Sequence, residues 1–173
     1  AAEVAASSPL SGEPAGGRTT SPRPPADEPD EPPPADRPAA PDSVEGWRAV
    51  LADLYERRAA AFADARPEDL AGVYAPGSAP LAADERYARD LATAGEALRG
   101  FAPEITRLGV VASEPDRVQL DLVDRWADYE VVDAGAPDGP ALRTVPGRPD
   151  TAVRMVLVRT GDGWRIESGR RVA

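Results

Sequence analysis

The feature that most restricts this chain is an abrupt change in what its residues can bury. Residues 1–42 hold 11 of the 20 prolines, and Val4 and Leu10 are their only large aliphatic side chains. A segment with so little apolar surface cannot offset the entropy of ordering its backbone, about 1–2 kcal/mol per residue. The sequence therefore predicts a disordered, acidic, Pro-rich stalk over 1–42 and one folded domain over 43–173. Pro32, Pro33 and Pro34 favour an extended polyproline conformation, which suits a spacer. Acidity concentrates in the same place. Nine acids face three Arg up to Glu45, and 21 acids face 17 Arg in the remainder.

Order begins at Asp42. It stands three residues before Glu45, the arrangement of a helix N-cap. Val44, Trp47, Leu51, Leu54, Tyr55, Ala59 and Phe62 then recur at spacings of three and four, which predicts one amphipathic helix of about 20 residues. Pro67 opens a short second helix through Leu70 and Val73, and Ala75-Pro76-Gly77-Ser78 is a turn. A third helix is expected over 80–98, ended by Gly100. From Phe101 the period becomes two. Strands are expected at 105–111, 117–132, 141–145, 151–160 and from Trp164 onward, with Gly161-Asp162-Gly163 as a hairpin turn. This order predicts an α+β domain, with three N-terminal helices packed on a curved, mostly antiparallel sheet of about five strands in meander order.

Several chemistries are excluded by what is missing. The chain has no His, Cys, Lys or Asn, and Gln119 is its only amide side chain. A Ser-His-Asp triad, a thiol nucleophile, a Schiff-base lysine and an imidazole-bound metal are all ruled out. GC-rich codon usage accounts for such a bias, and the exclusions hold whatever its source. Ser78 lacks both a G-x-S-x-G elbow and a His to activate it, and it serves instead as a helix cap. The acidic run Asp27-Glu28-Pro29-Asp30-Glu31 lacks the glycine and ligand order of a calcium loop. No dinucleotide fingerprint occurs, and no cofactor is expected. The formal net charge of -10 speaks against nucleic acid. No run approaches the roughly 20 apolar residues of a membrane span.

What remains is Asp, Glu, Tyr, Ser, Thr and Arg. Strict alternation places Asp124 on the face of Val118, Leu120, Leu122 and Trp126. A carboxylate there pairs with an Arg, for which Arg125, Arg154 and Arg165 are on strands, or sits at a bulge where the alternation shifts, or serves as a base or a protonated donor. Asp84 lies one turn past Leu81 on the inward side of the third helix. Tyr74, Tyr87 and Tyr129 can donate phenolic hydrogen bonds, and Trp126 is the expected pocket wall. The candidate pocket is therefore Tyr74, Asp84, Tyr87, Asp124, Trp126, Tyr129 and Arg154. Asp124, Asp84 and Tyr74 are the groups an enzyme would use.

The pattern resembles the nuclear-transport-factor-two-like cone, shared by ketosteroid isomerase and SnoaL-like proteins. It looks closest to an uncharacterised actinobacterial branch, often membrane-anchored with the cone outside the cytoplasm. The residues that carry the likeness are Trp47 with Val50-Leu51, Arg57-Arg58-Ala59-Ala60, Val73-Tyr74-Ala75-Pro76-Gly77-Ser78, and Asp84 with Leu91 and Gly95. Asp124-Arg125, Tyr129-Glu130-Val131-Val132-Asp133 and Gly163-Trp164-Arg165-Ile166 complete them. The resemblance spans about residues 43–168 and implies a cone with one open mouth, without implying a reaction. The expected role is a non-enzymatic, extracytoplasmic cone on a flexible stalk, with an anchor or signal upstream of Ala1. It would bind a small apolar ligand or a protein partner, or form a homodimer through the sheet. The alternatives are a cofactor-independent isomerase or cyclase using a pocket Asp and Tyr, and an accessory module of a membrane-anchored protein.

Overall fold

A computed structural model of the chain describes residues 39–172. All but the last four residues of the expected stalk lie outside the described residues. Of those four, Ala40 packs against the domain core.

Helix α1 (Val44–Ala63) is the spine of the domain. Its cap is Ser43 rather than Asp42, and the Ser43 hydroxyl accepts from the Gly46 N–H at 3.1 Å. The apolar stripe read from the sequence is the buried face, with Trp47, Leu51, Leu54 and Phe62 almost fully enclosed. The second helix is a 3-10 helix (Pro67–Gly72). Helix α2 (Ala79–Ala94) carries Pro80 in its first turn and is capped by Ser78.

Two antiparallel sheets follow, in place of the single five-stranded meander expected. Seven strands are present among the described residues: β1 (Glu96–Arg99), β2 (Glu104–Glu114), β3 (Arg117–Trp126), β4 (Tyr129–Asp133), β5 (Arg143–Val145), β6 (Arg148–Thr160) and β7 (Gly163–Arg171). The larger sheet has the order β2-β3-β6-β7, and the smaller has β1-β4-β5. The α+β assignment stands, and the architecture is that of a cone. The sheet's inner face, Val118, Leu120 and Leu122 of β3 with Leu157 of β6, meets α1 in one core. Trp47 of α1 stands edge-on to Trp164 of β7, with ring centroids 4.8 Å apart.

Two expectations are corrected, each for a physical reason. The third helix stops at Ala94, because Gly95 takes a left-handed φ of 67° and its N–H closes back on Ala92 and Leu91. Residues 96–99 then pair with β4, burying Ala97 and Leu98. The long strand over 117–132 is broken in two. Gly147 lies so close to the chain that an added Cβ would stand 2.4 Å from the Trp126 carbonyl oxygen. Its N–H donates to Asp128 Oδ1 at 2.7 Å, which folds the chain at 126–128 and sends β4 into the second sheet. The β7 backbone is also held by the segment before α2. Ala75 N–H donates to the Ile166 carbonyl and Ile166 N–H to the Val73 carbonyl.

Gly95→Ala places a Cβ at that left-handed φ, so a loss of about 1 kcal/mol or more is expected in urea unfolding, with an unchanged dependence on denaturant.

Candidate functional site

The inner face of the larger sheet does not close completely on α1. A cavity of about 280 Å³ remains, open to solvent on one side. Its apolar floor is Val153 and Met155 of β6 with Ile166 of β7, and Trp126 forms one wall. Gly169 of β7 faces Met155, and the missing side chain leaves part of the space.

The polar wall is built from Asp124 with Tyr55 and Arg148, and from Arg58 and Tyr74, which Asp84 holds from behind. Asp124 is only 4% exposed. Its Oδ2 accepts from the Tyr55 hydroxyl at 2.8 Å, and its Oδ1 accepts from Arg148. Arg148 in turn stacks on the Trp126 ring, its guanidinium carbon 3.8 Å from the centroid. In the second cluster, Asp84 Oδ2 accepts from Arg58 Nε at 2.6 Å and from the Tyr74 hydroxyl at 2.5 Å. Asp84 Oδ1 accepts from the other arm of the same guanidinium at 3.2 Å. Tyr55 and Arg58 lie three residues apart on α1, so one helix face joins the two clusters.

Burial acts on these groups in a consistent direction. It pushes the Tyr55 hydroxyl well above the usual phenol range, and the Asp124 charge adds to the effect. Tyr74 is raised for the same reasons, with Asp84 the partner, against an opposing influence from Arg58. For Arg58, burial pulls downward, but the bond to Asp84 outweighs it and the guanidinium is held more firmly protonated. Both hydroxyls are therefore fixed as hydrogen-bond donors.

The candidates read from the sequence separate into three groups. Tyr74, Asp124 and Trp126 line the cavity. Asp84 reaches it only through Arg58 and Tyr74. Tyr87, Tyr129 and Arg154 stand elsewhere. Tyr87 packs edge-on against Phe62 and Tyr129 against Phe101. Arg154 lies on the outer face of the sheet, where it holds Asp121 in a two-bond pair at 2.7 Å. That bond, with the charge of Arg170 beside it, keeps Asp121 below the usual carboxylate range.

The Asp124 partner is none of the three strand arginines expected. A register shift in the β3–β6 pairing falls between Asp124 and Trp126 and interrupts the alternation there, and Arg125 turns outward to Glu104. Tyr55, Arg58 and Arg148 are site residues that the sequence reading did not single out. The i, i+3 spacing of Tyr55 and Arg58 was an available signal, whereas the pairing of Arg148 with Asp124 across 24 positions has no local signature. Among the described residues, no group of three or more acids is placed to hold a metal ion.

No family model matches the chain, and no curated protein does. Solved structures do resemble it. The intermembrane-space region of the chloroplast protein ARC6 is 20% identical, covers 78% of this chain and 99% of its own, and aligns with a TM-score of 0.52. The Kfla4162 protein of Kribbella flavida is 23% identical over 76% of this chain and 93% of its own, with a TM-score of 0.49. The likeness to the ARC6 region is one of fold, and it agrees with the cone expected from the residue pattern.

Arg148→Met strips Asp124 of its counter-charge while keeping much of the side-chain volume. A loss of about 3–5 kcal/mol is expected in denaturant unfolding. Combining it with Asp124→Asn should recover much of that loss, because the uncompensated buried charge is then gone. A second check is spectroscopic. In the native chain, two of the four tyrosines, Tyr55 and Tyr74, should stay protonated at about pH 12, where an ordinary phenol has already ionised. A phenol pKa raised in the fold contributes stability that is whole below the ordinary value and is lost as pH climbs toward the raised one. Tyrosinate absorbance should therefore reach its full value only together with alkaline unfolding.

Proposed function

We propose that this chain is a non-catalytic cone domain that binds a small molecule in the cavity between α1 and the inner face of the larger sheet. The observation that carries this reading is how the two carboxylates are used. Each of the four oxygens of Asp124 and Asp84 already accepts at least one hydrogen bond from an Arg or a Tyr. A general base turns an oxygen toward the substrate proton, and a general acid aims a proton at the substrate. Tyr55 and Tyr74 aim theirs at the aspartates. This use of both carboxylates inside the protein supports the binding reading over the isomerase or cyclase alternative. The same network suits a binding wall, because satisfied polar groups are rigid and hold a cavity open in one shape.

The wider setting rests on the sequence. The acidic, Pro-rich character of residues 1–42 supports a stalk, and the resemblance to an actinobacterial, membrane-anchored branch supports a place outside the cytoplasm. Among the described residues no helix is long and apolar enough to cross a membrane.

Gly169→Phe tests the binding role. The backbone there does not require glycine, and a Cβ would make ordinary contacts with Met155 and Val153. The ring would then fill the cavity from the β7 side. Compounds that raise the melting temperature of the natural chain in a thermal-shift screen should no longer do so in the variant. Ligand effects that persist in a folded Gly169→Phe protein would move the site elsewhere.

A further inference from the structure

The arginines around the cavity are not all accounted for by its acids. Arg58 is used by Asp84 and Arg148 by Asp124. Two more arginines, Arg170 and Arg171, line the cavity at the end of β7. Strand register separates them. Arg170 pairs with Arg154, on the outer face near Asp121, whereas Arg171 pairs with Val153, whose side chain is part of the cavity floor. Arg171 is thus the cation on the inner face. None of the nine ion pairs among the described residues includes it. A further donor is idle nearby, since the buried Nε of Arg148 has no hydrogen-bond partner among the described residues.

A guanidinium at the rim of a cleft whose own acids are already matched leaves the cleft with an excess positive charge. Low-dielectric walls concentrate that field at the mouth. Water can solvate the cation, but a ligand carboxylate does so with charge-assisted, paired hydrogen bonds in the fixed fork geometry of Arg. The floor of Val153, Met155 and Ile166 and the Trp126 ring offer only apolar contact to the rest of such a ligand. A volume of about 280 Å³ limits that body to a small one. Resting on the small-molecule reading above, we propose that the cavity takes a compact organic anion, a carboxylate on an apolar or aromatic body, with Arg171 as its charge partner.

A matched pair of probes tests this by titration calorimetry in low salt at about pH 7.5, where the acid is ionised. The pair is naphthalene-2-carboxylate and the neutral naphthalene-2-carboxamide. The natural chain should bind the carboxylate about tenfold or more tightly than the amide. Arg171→Gln, at an exposed strand end, should bring the carboxylate down to the affinity of the amide and leave the amide unchanged. Gly169→Phe should remove both. Equal affinities in the natural chain overturn the choice of an anion and leave the small-molecule reading standing. A preference for the carboxylate that survives Arg171→Gln overturns the role of that residue. If neither probe binds the natural chain at millimolar concentration, the small-molecule reading falls together with the proposal.

Discussion

The buried carboxylate of Asp124 is the constraint around which the rest of the domain is arranged. A carboxylate at the base of an apolar sheet face is costly unless donors and a counter-charge meet its oxygens. The fold supplies those donors from two directions, Tyr55 from the helix above and Arg148 from the neighbouring strand. Satisfying the acid therefore fixes how α1 sits over β3, and where β6 must begin. Beside Arg148, Gly147 lies against the chain at 126–128, where an added Cβ would stand 2.4 Å from the Trp126 carbonyl oxygen, a position that admits no side chain. That approach also ends β3 and diverts β4. One ionic requirement thus joins helix placement, strand breakage and the wall of the cavity.

Much of the architecture was legible because it rests on periodicity. The stripe from Trp47 to Phe62 and the alternation through Val118, Leu120 and Leu122 are burial patterns, and burial decided both elements. The errors fall where two local signals were equally good. Gly95 and Gly100 both adopt left-handed φ angles, and either could end α2. The four residues between them, Glu96-Ala97-Leu98-Arg99, are good helix formers. They become a strand because Ala97 and Leu98 are buried against β4, a partner some 30 residues away that no local rule sees.

The candidate site was legible to a lesser degree, for the same reason. Asp124 stood out as a polar residue in an apolar alternation, and Tyr74 as part of a motif, because both are local anomalies. Arg148 did not, because its meaning is set by a bulge in a different strand. Arg154 was drawn into the site by its strand position, yet register assigns it to the outer face opposite Asp121. Facing direction, rather than residue type, separates the arginine that lines the cavity from the one that decorates the surface.

Tyr55 and Tyr74 are locked as donors, and the chain carries no His, Cys or Lys. The protein therefore brings to its cavity no side chain whose ordinary ionisation falls between about pH 5 and 9. None of the residue types that ordinarily serve as pH sensors near neutrality is therefore present in the cavity wall. A pH dependence near neutrality in what the cavity captures would then point first to the ligand's own charge state.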